Sequence, residues 1–254
     1  MIRLFRNIRH QLLSEDKYPM YILYASGEII LVIIGILLAL QIDNWNQNRK
    51  TQEDELNLLS ELIVNLENDI NTLNANIGFH EGGASACQII LEYMSSGQPF
   101  NDSLSRYFAM TNNHTVFAPN VGAYESLKSR GIDIIRNNDI RLKLVYLYEQ
   151  SYHTIQPNIE HFTEQIMELK MTFYSSRFEE FNLFDIHKIN PRAGSYGGLM
   201  FPTKYEDLRT DPIYIYHLRS LKKGHEYLIE FNKMTKRATE NMIELIEEEI
   251  RKRT

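Results

Sequence analysis

Three observations predict an all-α fold in which one N-terminal transmembrane helix continues into a long helix and an extracytoplasmic antiparallel helical bundle. Residues Met20 to Ile42 form an apolar stretch about 35 Å long as a helix, enough to cross a hydrocarbon core of about 30 Å. From Leu56 the apolar positions recur at alternating spacings of three and four, and the same spacing returns near the C-terminus. The chain of 254 residues holds seven prolines and twelve glycines and shows little strict alternation, which disfavours sheet.

Residues 1–18 read as a cytoplasmic basic segment. Arg3, Arg6, Arg9 and Lys17 precede the apolar stretch, whereas Arg49 and Lys50 follow it, so the positive-inside rule puts the N-terminus in the cytoplasm. Residues 19–43 are the expected transmembrane helix. No small-x-small cleavage site follows Leu40, so it reads as an uncleaved signal-anchor. Tyr18 and Trp45 suit the two interfaces, where amphipathic aromatics concentrate. Glu28 is a carboxylate inside the span, and such a group turns toward a partner, a bundle interior or water. Gly27, Gly35 and Ala39 are the small residues that would let a second helix approach. Glu28 is read as a hydrogen-bonding group at an oligomer seam, or alternatively as a proton- or ion-responsive carboxylate in a pore or motor contact.

Residues 44–254 are read as the extracytoplasmic helical domain. Its first helix carries a seam of Leu56, Leu59, Ile63, Leu66, Ile70 and Leu73 and is expected to end near Gly78. Gly78, Gly82 and Gly83 then mark a turn, and Ala84 to Met94 a shorter helix closed by Ser95, Ser96 and Gly97. Short helices follow at Leu104–Met110 and at Gly122–Ser129, the second closed by Gly131, with Thr111–Thr115 and Pro119 breaking the pattern between them. A helical region from about Asp139 to Glu179 contains Pro157 as a kink. Residues 181–211 read as an irregular loop. Asp211-Pro212 is an N-cap and first-turn pair opening a last helix to about Lys252, with Leu221, Gly224, Leu228, Phe231, Thr235, Ala238, Met242 and Leu245 on one face.

Three stretches, RLFRNIR, GEIILVIIGILLALQIDNWNQNRK and YESLKSRGIDIIRNNDIR, resemble the DUF6090 family of uncharacterised single-span bacterial membrane proteins. The resemblance implies a cell-envelope protein with a helical extracytoplasmic part. It carries no catalytic residues onto this chain.

Composition narrows the chemistry. A net charge of −6, with bases and acids mixed along the chain, gives no attraction to nucleic acid. A single cysteine, Cys87, excludes an internal disulfide framework and a thiolate zinc cage, and its apolar setting reads as core. No HExxH, GxSxG or GxxxxGK[ST] occurs. Glu149, His153, His161, Glu164 and Glu168 share one helical region but lack Glu-x-x-His pairs, so neither metal nor cofactor is expected. His187, Arg192 and Tyr196 in the 181–211 loop are the strongest candidates for an envelope enzyme. Asp102-Ser103-Leu104 matches a short O-glycosylation pattern of some bacterial envelopes. The expectation is a non-enzymatic, membrane-anchored scaffold or sensor that forms homo-oligomers and contacts membrane lipid and an envelope protein partner. An ion- or proton-conducting or motor-associated assembly using Glu28, and an envelope enzyme, are the alternatives.

Overall fold

An aliphatic run from Ile29 to Leu40 interrupted only at Gly35, then a 3-4 repeat without a proline, lie on one unbroken helix, α1 (Tyr18–Ser95, 78 residues). The computed structural model describes residues 18–182 and 198–253. The chain divides into two units, residues 1–56 and 57–254. Residues 1–17, which hold the expected basic segment, lie outside the described residues.

In the first unit the helix carries its apolar side chains outward. Its most apolar 18-residue window has a mean hydropathy of 2.0, and none of it is buried. Leu31 is 71 % exposed and Ile29, Ile36 and Leu38 are more than half exposed. Such residues keep a helix where no water can satisfy the backbone, because every interior N–H and C=O is bonded within the segment.

In the second unit a heptad-like stripe builds the core. On α1, with Leu58, Phe79 and Ala86 buried beside it, the stripe runs through Leu59, Leu62, Leu66, Asp69, Leu73, Asn76, His80, Gly83, Cys87, Ile90 and Met94. They are spaced three and four apart, which keeps one face inward along an α-helix. Leading to the second long helix are α2 (Leu104–Met110) and α3 (Gly122–Arg130), then α4 (Asn138–Tyr146) and a π turn (Leu147–Ser151). The next helix, α5 (Tyr152–Thr172), buries Tyr152, Ile155, Ile159, Phe162, Ile166 and Leu169. The last, α7 (Pro212–Arg251), opens on Asp211, whose carboxylate accepts the backbone N–H groups of Ile213 and Tyr214. Two layers of contacts fix the directions. Tyr152 meets Thr239 and acts on Asp69 in one layer, and Phe162 meets His80 and His225 in the other. Numbers rise together on α1 and α5 and fall on α7, so α7 runs antiparallel to both.

Two expectations need correction. Gly78, Gly82 and Gly83 do not turn the chain; α1 passes through them. A Cβ on Gly83 would stand 2.4 Å from the His225 ring, so this glycine serves close approach of two helices. A mid-helix glycine costs about 1 kcal/mol against alanine, less than the buried face gains. Gly131, in contrast, has φ 97° and closes α3 as a turn glycine. Second, the helical region stops at Thr172 instead of Glu179. Phe178–Asn182 is a strand, β1, paired antiparallel with β2 (Gly198–Pro202) in the register Phe178 to Pro202 and Glu180 to Met200. Buried Phe178 and Met200 lie on the core side of this hairpin, and a short helix α6 (Tyr205–Leu208) follows it. The expected irregular loop is therefore replaced at both ends by regular structure, and residues 183–197, with His187, Arg192 and Tyr196, lie outside the described residues. Pro157 lies within α5, and the helical hydrogen-bond pattern changes just before that helix, at the π turn.

Candidate functional site

The residues singled out in the first unit stand as follows. A Cβ on Gly27 or Gly35 would meet nothing within 4 Å, and Ala39 is exposed. Glu28 is half-buried and takes part in an interaction. Trp45 is exposed, with the Arg49 guanidinium 5.9 Å from its ring centre. Tyr18 is the first described residue. In the α1 seam Leu59, Leu66 and Leu73 are buried, while Leu56, Ile63 and Ile70 are half-buried. On α7 Leu221, Leu228, Thr235 and Met242 are buried, and Gly224, Phe231, Ala238 and Leu245 are half-buried.

The acids and histidines of α5 are not brought together. His153, His161, Glu164 and Glu168 are exposed, and Glu149 accepts from the Tyr124 hydroxyl and Lys128, each at 3.1 Å. Among the described residues, no group of three or more His, Cys, Asp or Glu could hold a metal ion. Cys87 is buried, and burial pushes its thiol up to about 12.

What the structure does bring together is a buried polar ladder under residues 111–121. These residues cross the bundle as a strap outside regular helix or strand after Met110, with Thr115 and Phe117 buried and Val116 and Ala118 exposed. Each polar side chain on the buried stripe of α1 holds a piece of it. Asp69 Oδ1 accepts the backbone N–H of Asn120 at 2.8 Å and its side-chain amide at 2.7 Å. Asn76 donates to the Val116 carbonyl at 3.3 Å, and Asn113 of the strap donates to the Phe79 carbonyl at 3.3 Å. The Tyr148 hydroxyl, presented by the π turn, donates to the Asn120 carbonyl at 3.3 Å. These bonds replace the ladder that an extended segment would otherwise lack.

At the centre lie two fully buried histidines, His80 on α1 and His225 on α7. Their Nδ1 atoms are 3.0 Å apart. His80 Nε2 is 3.0 Å from Thr115 Oγ1, and His225 Nε2 is 3.1 Å from the Thr111 carbonyl. A carbonyl only accepts, so His225 carries its proton on Nε2 and its Nδ1 is an acceptor. His80 must then donate from Nδ1, and its Nε2 accepts from the Thr115 hydroxyl. The result is one directed chain from Thr115 through His80 and His225 to the Thr111 carbonyl, with both rings neutral. Burial holds them neutral: it lowers His80 to about 3, helped by His225 and His114, and His225 to about 4 against the Thr111 bond. Phe162 of α5 meets His225 edge-on at 4.8 Å and His80 at 5.9 Å, closing the third side.

All four ring nitrogens are engaged, so the pair offers no free lone pair to a nucleophilic or metal reaction. What remains open to the pair is a change of protonation, which burial opposes. The signal in the sequence was slight: Asp69, Asn76, His80 and Gly83 are themselves spaced by three and four, and Asp69 stands one position before Ile70 of the aliphatic seam.

The family model DUF6090, a family of unknown function, matches residues 28–192, well over half of the chain. No curated protein matches, and no solved structure matches.

Proposed function

We propose that this chain, which belongs to the DUF6090 family, is a non-enzymatic membrane-anchored scaffold or sensor working through its helical bundle. The observation that carries this reading is the fully exposed apolar window of the first unit, with a mean hydropathy of 2.0. Covering one exposed Ile or Leu is worth about 1.5–3 kcal/mol, so a stretch of this kind in water is untenable and lipid is the natural cover. Residues 1–18 are then cytoplasmic, residues 19–43 span the inner membrane, and residues 44–254 lie in the periplasm with Tyr18 and Trp45 at the interfaces. Gly27, Gly35 and Ala39, open on the helix surface, supply the close approach for a second copy, with Glu28 on that segment as a polar tie. A protein partner in the envelope would receive the output. The engagement of the buried polar groups in holding the strap supports a binding role over a catalytic one.

Single-cysteine reporters test the topology. Cys87 is buried, so a Cys87→Ser background with cysteine placed at Arg3 or at exposed Glu61 gives two reporters. In intact cells an impermeant maleimide should label position 61 and spare position 3, and alkaline carbonate should leave the chain in the membrane pellet. Extraction by carbonate, or labelling at position 3 alone, refutes the reading.

A further inference from the structure

We propose that the His80–His225 pair is an acid-sensitive latch whose double protonation releases the strap of residues 111–121 and uncovers α1 between Asp69 and Gly83. This does not depend on the membrane assignment, since every group involved lies in the second unit.

The geometry accepts one proton and refuses two. A first proton from solvent enters the chain without breaking it. His225 becomes protonated on both nitrogens and donates from Nδ1; His80 shifts its hydrogen to Nε2 and donates to Thr115, whose hydroxyl turns from donor to acceptor. The 3.0 Å contact survives as a charged N–H···N bond. A second proton sets two N–H groups face to face at that distance, both rings charged and fully buried. Phe162 closes one side and Gly83 sits against the His225 ring, which leaves the rings little room to turn apart.

The surroundings offer a second charge no compensation. On the strap the titratable neighbour acting on His80 is His114, another potential cation. α5 presents the Phe162 ring, with Glu160 and Glu164 exposed. Along α1, Asp69 lies about three turns before His80 and is committed to Asn120, and Cys87 lies about two turns after it. On α7 the flanking Lys222 and Glu226 are half-buried and paired with each other at 3.5 Å. The strap is the segment that yields, because both outer ends of the hydrogen-bond chain, Thr115 and the Thr111 carbonyl, belong to it. A strap held by side chains opens at lower cost than a helix held by its own backbone.

The test is hydrogen exchange on the intact chain in mild detergent from pH 7.5 to 4.5, corrected for the intrinsic rate at each pH. Below about pH 6.5 the opening constant of the 111–121 amides should rise by up to about a hundredfold per pH unit, tenfold for each proton taken up, while α5 amides stay protected. His80→Gln, which keeps a donor and an acceptor but cannot titrate, should reduce the slope to about tenfold. A strap that opens independently of pH, or only together with α5, overturns the latch. Nitrogen spectra of labelled histidine in the wild-type chain at pH 7 give a second reading that needs no variant. They should show His80 protonated at Nδ1 and His225 at Nε2, and a charged ring or the reverse tautomers also overturns it.

Discussion

His80 and His225 both make the second unit less stable in acid, and the sign follows from where their protons sit. In the unfolded chain both titrate near the ordinary 6.5; in the folded one burial holds them at about 3 and about 4. The unfolded state therefore binds more protons below 6.5, and stability falls as pH falls through that range. Between pH 7 and 5 each ring removes about 2 kcal/mol, at 1.36 kcal/mol per unit of pH below 6.5. Asp69 works in the opposite sense, since burial raises its carboxyl and the folded chain holds that proton more tightly. Denaturant melts at pH 7 and pH 5 should show the midpoint lower at pH 5, and His225→Asn should remove about half of the difference.

At the level of elements, side-chain chemistry near chain breaks was easier to read than packing. Asp211-Pro212 announced α7 because a carboxylate before a proline has one good use, accepting the orphan N–H groups of a first turn. Asp211→Ala should cost about 1 kcal/mol and lower the thermal midpoint by about 2–4 °C, with Asp211→Ser recovering most of the loss. Gly131 likewise closed α3 where it was expected. The glycines at 78, 82 and 83 misled because sequence spacing cannot distinguish a glycine that frees φ from one that admits a neighbouring ring; the His225 contact is 142 residues away in sequence from Gly83. The hairpin was hidden because Phe178–Asn182 has no local strand partner and pairs across the 183–197 segment. The histidine pair was illegible for the same reason, each ring's meaning lying on another helix.

On the scale of the whole molecule, the two units dispose of their apolar residues in opposite ways. The first presents its apolar residues outward, and the second buries its own around α1, α5 and α7. A chain beginning at Asn57 retains the described core of the second unit and should stay in the supernatant after ultracentrifugation, with a helical circular dichroism spectrum and one cooperative melt. Pelleting or a broad, uncooperative melt would show that the bundle needs the preceding segment to fold.

The parallel course of α1 and α5 has a kinetic consequence. Two parallel helices cannot be joined by a short turn, so residues 96–151 must be laid down before α5 can dock, and α7 must then come back along both. The contacts that close the bundle span 145 residues between His80 and His225, 114 between His225 and Thr111, and 112 between Asn137 and Glu249. Loop-closure entropy opposes such contacts until nearer ones have shortened the effective chain. The strap is thus fastened late in folding, once the 145 residues that separate His225 from His80 have been made.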